Sequence, residues 1–123
     1  MDPLGLRITL NEVYDRYKKP MMIVENGLGA IDILENHTVK DLYRIKYLSD
    51  HLSEMRKAVE SDGVNLFGCM VWADCDIISA SSGEMKKWYG FIYVDDKNNF
   101  RRIKKGSFYW YKSIISSNVK NIT

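Results

Sequence analysis

The sequence predicts an α/β fold organised around a parallel β-α-β unit. Residues 21–24 and 66–72 are short apolar runs without alternation, which is typical of strands covered on both faces. Between them, apolar residues recur at helical spacing from residue 39 to about residue 61. Two strands joined by a long helix form one right-handed parallel unit. A β-hairpin and a last helix are expected after it.

The composition is that of a globular protein, because 46% of the 123 residues are hydrophobic and 28% are charged. No apolar run approaches the roughly 20 residues of a membrane-spanning helix, and the N-terminus lacks the basic and apolar regions of a signal peptide. We therefore expect one domain over residues 1–123 that lies in the cytoplasm and has no membrane partner. Cys69 and Cys75 are too few for a structural zinc site, so we expect buried, reduced thiols and neither metal nor cofactor.

The first helix is predicted to start at Asp2 and Pro3, with Asp as the N-cap and Pro at the first helical position. Residues 18–20, Lys-Lys-Pro, end it after about four turns. Its apolar stripe is expected to comprise Leu6, Leu10, Val13 and Tyr17.

The first strand runs into Glu25, and Gly27 and Gly29 then release the chain into a loop. In a parallel barrel, the active-site residues lie at the carboxyl ends of the strands. A carboxylate at this point is either functional or a strand-end residue paired with a basic neighbour. The residues alone leave both interpretations open.

The loop after this strand is expected to run from residue 28 to residue 37. Thr38 is the predicted N-cap of the second helix. On that helix, His51 is expected to be packed or at the surface, and not a ligand or a base. The apolar side of the helix is expected to comprise Leu42, Ile45, Leu48, Leu52, Met55 and Val59.

The second strand ends in residues 72–76, Trp-Ala-Asp-Cys-Asp, which include polar and reactive side chains. Because parallel strands point the same way, these residues are expected at the same edge of the sheet as Glu25. Two such strand ends at one edge predict a site there.

A β-hairpin is predicted from residues 88–94 and 100–103, which flank a polar turn. A last helix is expected from residue 106 to about residue 117. Its buried stripe is expected to comprise Phe108, Tyr111, Ile114 and Ile115.

Residues 23–27, Ile-Val-Glu-Asn-Gly, resemble the nucleophile segment of family 1 glycoside hydrolases, the retaining β-glycosidases that fold as a (β/α)8 barrel. Five segments match in the family's order and spacing, from residues 2–7 to residues 105–112. A closed barrel typically needs about 250 residues. The resemblance therefore implies a single partial domain, the C-terminal portion of such a barrel, with about the last two β/α units plus a β-hairpin. It also implies that Glu25 is the nucleophile that attacks the anomeric carbon.

The resemblance extends to a branch of the family that acts on 6-phospho-β-glycosides. Trp72 stands where the family stacks a Trp on the sugar, and seven residues on, Ser79 replaces the Glu of neutral-sugar enzymes. A carboxylate there would repel a sugar phosphate, whereas a hydroxyl can donate a hydrogen bond to it. Lys87 and Tyr89 complete the branch's phosphate-binding pattern, and the small Ala80 implies a gluco sugar. Without the resemblance, Trp72 and Tyr89 would be core aromatics and Lys87 a surface lysine.

One catalytic group is expected to lie outside the chain. A retaining glycosidase needs two carboxylates about 5 to 5.5 Å apart, and the resemblance supplies only the nucleophile. Residues 9–13, Thr-Leu-Asn-Glu-Val, imitate the family's acid/base motif, but Val13 replaces its Pro and Glu12 lies within the first helix. We interpret Glu12 as a solvated helix residue. The resemblance thus implies a 6-phospho-β-glucosidase whose isolated 123-residue segment is inactive.

Two other functions remain open. Residues 85–120 hold nine basic residues against two acidic ones, with interleaved aromatics, as in a nucleic-acid-binding module. The whole chain carries only +2 and has no groove-reading motif, so we expect no nucleic-acid partner. The second alternative is a non-catalytic remnant that binds sugar phosphate or merely associates. Half a barrel leaves strand edges and an apolar face open, so we expect the isolated chain to self-associate.

Overall fold

A computed structural model of the chain describes residues 1–79, 81–85, 87–120 and 122. Within these residues the protein has three α-helices and three two-stranded sheets. The helices are α1 (Pro3–Tyr17), α2 (Leu42–Glu60) and α3 (Gly106–Ser116). The strands are β1 (Met21–Asn26), β2 (Leu34–Glu35), β3 (Thr38–Val39), β4 (Leu66–Val71), β5 (Ile92–Asp95) and β6 (Arg101–Lys104).

The central sheet consists of β1 and β4, which pair in parallel, with Met22 opposite Gly68 and Asn26 opposite Val71. The long helix α2 connects them, as a parallel pair requires. The predicted β-α-β unit is therefore confirmed, and both strands lie within a residue of their expected bounds.

Helix α1 begins as predicted, because the Asp2 carboxylate accepts a hydrogen bond from the Gly5 N–H at 2.9 Å. It ends at Lys18, which adopts a left-handed backbone with φ of 48°. The predicted apolar stripe is wrong in part. Val13 and Tyr17 are exposed, and Tyr14 packs on the core instead.

The start of α2 differs from the prediction. Thr38 is not the N-cap, because Thr38 and Val39 pair as β3 with β2 in a short antiparallel hairpin within the expected loop. The helix begins three residues later than expected, after Asp41. The Asp41 carboxylate accepts hydrogen bonds from the backbone and hydroxyl of Ser107 at the start of α3, so a long-range contact sets this helix start.

The inward face of α2 also differs from the predicted stripe. Leu42 is 71% exposed and Val59 is 40% exposed, so both lie outside it. His51 is packed as expected, with its ring on Tyr47 and its Nδ1 at 2.7 Å from the Tyr47 carbonyl oxygen. The buried residues of this helix are Arg44, Leu48, His51, Leu52, Met55 and Ala58.

The β-hairpin of β5 and β6 is confirmed, with Ile92 opposite Lys104. Helix α3 is also confirmed, and it buries Ile114 in the core that α1, α2 and the sheet share. Ile115 is 63% exposed, so its assignment to the buried stripe is wrong. Phe91 stacks on Tyr111 with ring centroids 4.7 Å apart, which fixes the hairpin against this helix.

Cys69 and Cys75 are half-buried and free, so the prediction of unpaired thiols is confirmed and that of full burial is not. Among the described residues, no helix combines the length and apolar character that crossing a bilayer requires.

Asp62 joins α1 to the turn that leads into β4. Its carboxylate accepts two hydrogen bonds of 2.7 Å from Arg7 and one of 2.8 Å from Asn11. The Arg7 hydrogen bond, supported by Asn11, lowers the pKa of Asp62 to about 2. Because the folded pKa lies below the unfolded value, this contact stabilises the protein above that unfolded value, and the stabilisation is lost as pH falls toward 2.

We expect Asp62→Asn to lower the melting temperature at pH 6, and the difference from the unsubstituted protein to shrink as pH falls from about 4 to about 2. Thermal unfolding followed by circular dichroism across this range measures it. Asp96→Asn removes an exposed carboxylate that has no ion pair among the described residues, and serves as the control. A difference between Asp62→Asn and the unsubstituted protein that stays constant with pH would contradict the assignment.

Candidate active site

Glu25 and Trp72 lie at the same edge of the central sheet. Glu25 is near the carboxyl end of β1, and Trp72 follows the last residue of β4. The Trp72 N–H donates to the carbonyl oxygen of Asn26 at 2.9 Å, which joins the two strand ends directly. Both side chains are exposed to solvent. The parallel pairing therefore places an acidic residue and an aromatic residue at the same edge of the sheet.

The Glu25 carboxylate has no ion pair or hydrogen bond within the described part of the chain. Among the described residues, Glu25 is therefore not paired with a basic neighbour, which was the second interpretation of an acid at a strand end. The adjacent Asn26 is fixed instead, since its Oδ1 accepts a hydrogen bond of 2.9 Å from the Tyr47 hydroxyl on α2. The strand end is held in place while the carboxylate itself stays free.

The loop after β1 approaches its neighbours so closely that two positions admit no side chain. A Cβ at Gly27 would lie 2.1 Å from the carbonyl oxygen of Trp72. A Cβ at Gly29 would lie 2.3 Å from Cζ of the Tyr89 ring. These contacts bring Trp72 and Tyr89 to the loop that follows Glu25.

A backbone bridge fixes the segment 87–89 to the same loop. The Ala30 N–H donates to the Trp88 carbonyl at 3.1 Å, and the Trp88 N–H donates to the Ala30 carbonyl at 3.0 Å. Lys87 is exposed, and its ammonium group has no ion pair within the described residues. Tyr89 is half-buried, with its hydroxyl against Gly29. The segment thus presents a free cation and a phenol beside the Glu25 loop.

Ser79 lies in a separate tight turn. Its N–H donates to the Glu84 carbonyl at 3.0 Å, and the Gly83 N–H donates to its carbonyl at 2.8 Å. Its hydroxyl is 3.2 Å from that of Ser81. No hydrogen bond joins Ser79 to Lys87 or Tyr89, so the convergence of these three groups stays a prediction. Ala80 lies outside the described residues.

A buried ionic network lies beneath the site, and the sequence analysis did not identify it. The Lys105 ammonium contacts Asp32 and, at 2.6 Å, Asp76. Arg44 contacts Asp41 at 2.5 Å and Asp32 at 3.4 Å. All five side chains are buried. The one sequence signal is that Arg44 precedes Leu48 and His51 at spacings of four and seven, on the inward face of α2.

The network reaches the segment that carries Lys87 and Tyr89. Arg44 Nη2 donates to the Trp88 carbonyl at 2.7 Å, and the Gly90 N–H donates to Asp76 Oδ1 at 3.0 Å. Burial raises the pKa of Asp76, against the opposing effect of Lys105. Asp76 Oδ2 is buried and has no partner among the described residues.

The profile for glycosyl hydrolase family 1 matches residues 1–120. The chain belongs to glycosyl hydrolase family 1.

Two of its relatives within the family carry phospho-β-glucosidase names. The chain is 56% identical to the aryl-phospho-β-D-glucosidase BglH of Bacillus subtilis, over 99% of the chain and 27% of the relative. It is 53% identical to the 6-phospho-β-glucosidase of Clostridium longisporum, over 99% of the chain and 28% of the relative. The chain therefore spans little more than a quarter of the length of these relatives.

A family 1 β-glucosidase from Thermotoga maritima has the same fold over 94% of the chain and 26% of its own length. The TM-score is 0.88 and the sequence identity is 34%. In the described residues of the present chain, the parallel sheet has two strands and does not close. The predicted fold class, a portion of a family 1 (β/α)8 barrel, is therefore confirmed.

We expect Gly27→Ala to lower the free energy of unfolding by about 1 to 3 kcal/mol, because the new methyl group would meet a backbone oxygen that cannot move aside. Gly68→Ala, on β4, is the matched control. Its Cβ would make an ordinary 3.5 Å contact with the end of the Met22 side chain, so we expect a change within about 1 kcal/mol of zero. Chemical denaturation measures both, and equal effects would contradict the close approach at Gly27.

Proposed function

We propose that this chain carries the nucleophile and the phosphate-binding segment of a retaining enzyme that hydrolyses 6-phospho-β-D-glucosides. The observation that carries the proposal is that the exposed residues Glu25 and Trp72 lie at the same carboxyl edge of the parallel sheet. The names of the relatives support the substrate class, since the chain is 50–56% identical to several that are named as phospho-β-glucosidases.

In this proposal the Glu25 carboxylate attacks the anomeric carbon, and the glycosidic bond breaks as the glycosyl-enzyme ester forms. A second carboxyl group gives its proton to the departing oxygen. As a carboxylate it then takes a proton from water, which attacks the anomeric carbon, breaks the ester and releases Glu25. We propose that residues outside this chain supply this second carboxyl group. Glu12 is unsuited, because it is exposed on α1, where Asn11 contacts Asp62 near the amino end of β4, away from Glu25.

Substrate recognition is divided between the two strand ends and the segment after them. Trp72 is 40% exposed, so its ring is available to stack on the sugar. Lys87 would neutralise the 6-phosphate while the hydroxyls of Ser79 and Tyr89 orient it, with the charge-assisted hydrogen bond the strongest of the three. The small Ala80 is the basis for proposing a gluco configuration. We propose that no metal or cofactor takes part.

The alternative functions have weaker support. Lys105, one of the nine basic residues that suggest a nucleic-acid surface, is completely buried between Asp32 and Asp76. It is therefore not available to a phosphate backbone. A remnant that binds sugar phosphate without hydrolysing it would keep Lys87 and Tyr89 but would not need the free Glu25.

We also propose that the isolated 123-residue chain self-associates. Val24, Phe67 and Met70 of the central sheet are each more than half exposed, and large apolar residues exposed on a sheet favour association. Sedimentation velocity over a range of concentrations measures this. A folded monomer at every concentration would contradict it.

Activity can be tested in a chimera in which this chain replaces the matching segment of the Bacillus subtilis BglH relative. We expect the chimera to hydrolyse an aryl 6-phospho-β-glucoside, and Glu25→Gln to reduce kcat/KM to less than about one thousandth, because the nearly isosteric amide cannot form the ester. Glu12→Gln is the control and should retain activity. Ordinary turnover by Glu25→Gln would refute the assignment of the nucleophile.

In the same chimera, we expect Lys87→Ala to weaken kcat/KM for the phosphorylated substrate by about 2 to 4 kcal/mol, a factor of about 30 to 900. Activity on the unphosphorylated analogue should hardly change, because that substrate has no anion to lose. Lys97→Ala, at an exposed lysine in the hairpin turn, is the control. Equal losses on both substrates would mean that Lys87 supports the fold and not the phosphate.

A further inference from the structure

We infer that Arg44 and Asp76 are positioning residues for Tyr89. By holding Tyr89 in place, the buried ionic network sets the selectivity for phosphorylated over unphosphorylated glucosides. The inference rests on the proposed function. It assigns to two buried residues a role in phosphate recognition that neither could perform by contact with the substrate.

The two peptide groups that flank Tyr89 are both held by the network. Arg44 Nη2 donates to the Trp88 carbonyl oxygen at 2.7 Å. On the other side, the Gly90 N–H donates to Asp76 Oδ1 at 3.0 Å. Tyr89 thus lies between two backbone groups, each of which is bonded to a buried charged side chain.

The two anchors form parts of one continuous set of ions. Lys105 contacts Asp76 at 2.6 Å and also contacts Asp32, whose Oδ1 is 3.4 Å from both terminal nitrogens of Arg44. These side chains are buried, so the attraction between them is little screened. The backbone around Tyr89 is therefore tied to buried ions in addition to its bridge with Ala30.

Close packing leaves the segment little room for another position. A Cβ at Gly90 would lie 2.3 Å from the carbonyl carbon of Cys75, and one at Gly29 would lie 2.3 Å from the Tyr89 ring. A small displacement of the Tyr89 hydroxyl would weaken its hydrogen bond to a phosphate, because an O–H···O bond requires a donor–acceptor distance of about 2.5 to 3.0 Å. Neither Arg44 nor Asp76 has a hydrogen bond to Glu25 or Trp72. Substitutions that remove contacts of the network should therefore impair recognition of the 6-phosphate more than hydrolysis of the glycosidic bond.

The pair Asp76→Ala and Asp76→Asn separates positioning from general loss of structure. Asp76 Oδ2 has no partner among the described residues, whereas Oδ1 meets both Gly90 and Lys105. Asn can place its nitrogen at the Oδ2 position and keep the Oδ1 contacts, but Ala cannot. In the chimera we expect Asp76→Ala to raise KM for the aryl 6-phospho-β-glucoside about tenfold or more. The kcat of Asp76→Ala, and its kcat/KM for the unphosphorylated analogue, should stay within about twofold of the values for the unsubstituted chimera. Asp76→Asn should retain the preference for the phosphorylated substrate.

A second variant, Arg44→Lys, tests the other anchor. It keeps the positive charge but loses the planar fork that reaches Asp41 and the Trp88 carbonyl together, so we expect the same loss of phosphate selectivity. Ser107→Ala is the matched structural control. It removes a buried hydrogen bond to Asp41 without touching the segment 88–90, and it should lower the melting temperature while leaving the substrate ratio unchanged.

The outcomes distinguish this inference from the function on which it rests. If the unsubstituted chimera prefers the phosphorylated substrate and folded Asp76→Ala or Arg44→Lys keeps that preference, the inference is wrong and the proposed function stands. Equal losses on both substrates would also overturn it. A chimera with no preference for the phosphorylated substrate would overturn both.

Discussion

Lys105 is completely buried, and its ammonium group lies between the carboxylates of Asp32 and Asp76. Removing such ions from water costs several kcal/mol each, a cost that is offset only while every partner stays in place. The three residues come from the loop after β1, the segment after β4 and the residue before α3. Segments that lie 29 and 73 residues apart in the chain are therefore held at one point. Among the described residues, loss of the ammonium would leave the buried Asp76 carboxylate without a cation and Asp32 with Arg44, at a longer distance, as its only cation.

Two kinds of interaction thus build the two halves of the candidate site. Backbone pairing between β1 and β4 fixes Glu25 and Trp72, because the hydrogen bonds of the sheet continue to the Trp72 N–H. The segment with Lys87 and Tyr89 belongs to no regular strand or helix, and a short backbone bridge to Ala30 and the buried ions hold it together.

Local patterns were sufficient where the structure depends on local contacts. The apolar runs of β1 and β4 and the N-cap at Asp2 could be identified from neighbouring residues alone. Thr38 is not the N-cap because it pairs in a strand with Glu35. The helix begins after Asp41, whose carboxylate accepts a hydrogen bond from Ser107, 66 residues away. The spacing of Arg44 to Leu48 is compatible with an inward position, but the sequence pattern does not show its contact with the Trp88 carbonyl, which lies 44 residues away. Only the three-dimensional structure shows that Glu25 has no ion pair among the residues it describes.

The contact between Gly29 and Tyr89 links two positions that are 60 residues apart, and it has a consequence for sequence variation. The atoms opposite Gly27 and Gly90 are backbone, so no substitution elsewhere can make room for a side chain there. At Gly29 the opposing atoms belong to a ring, and a smaller residue at position 89 would free the space. Residues 29 and 89 should therefore change together in evolution, and a lineage that acquires a side chain at position 29 should give up the phenol.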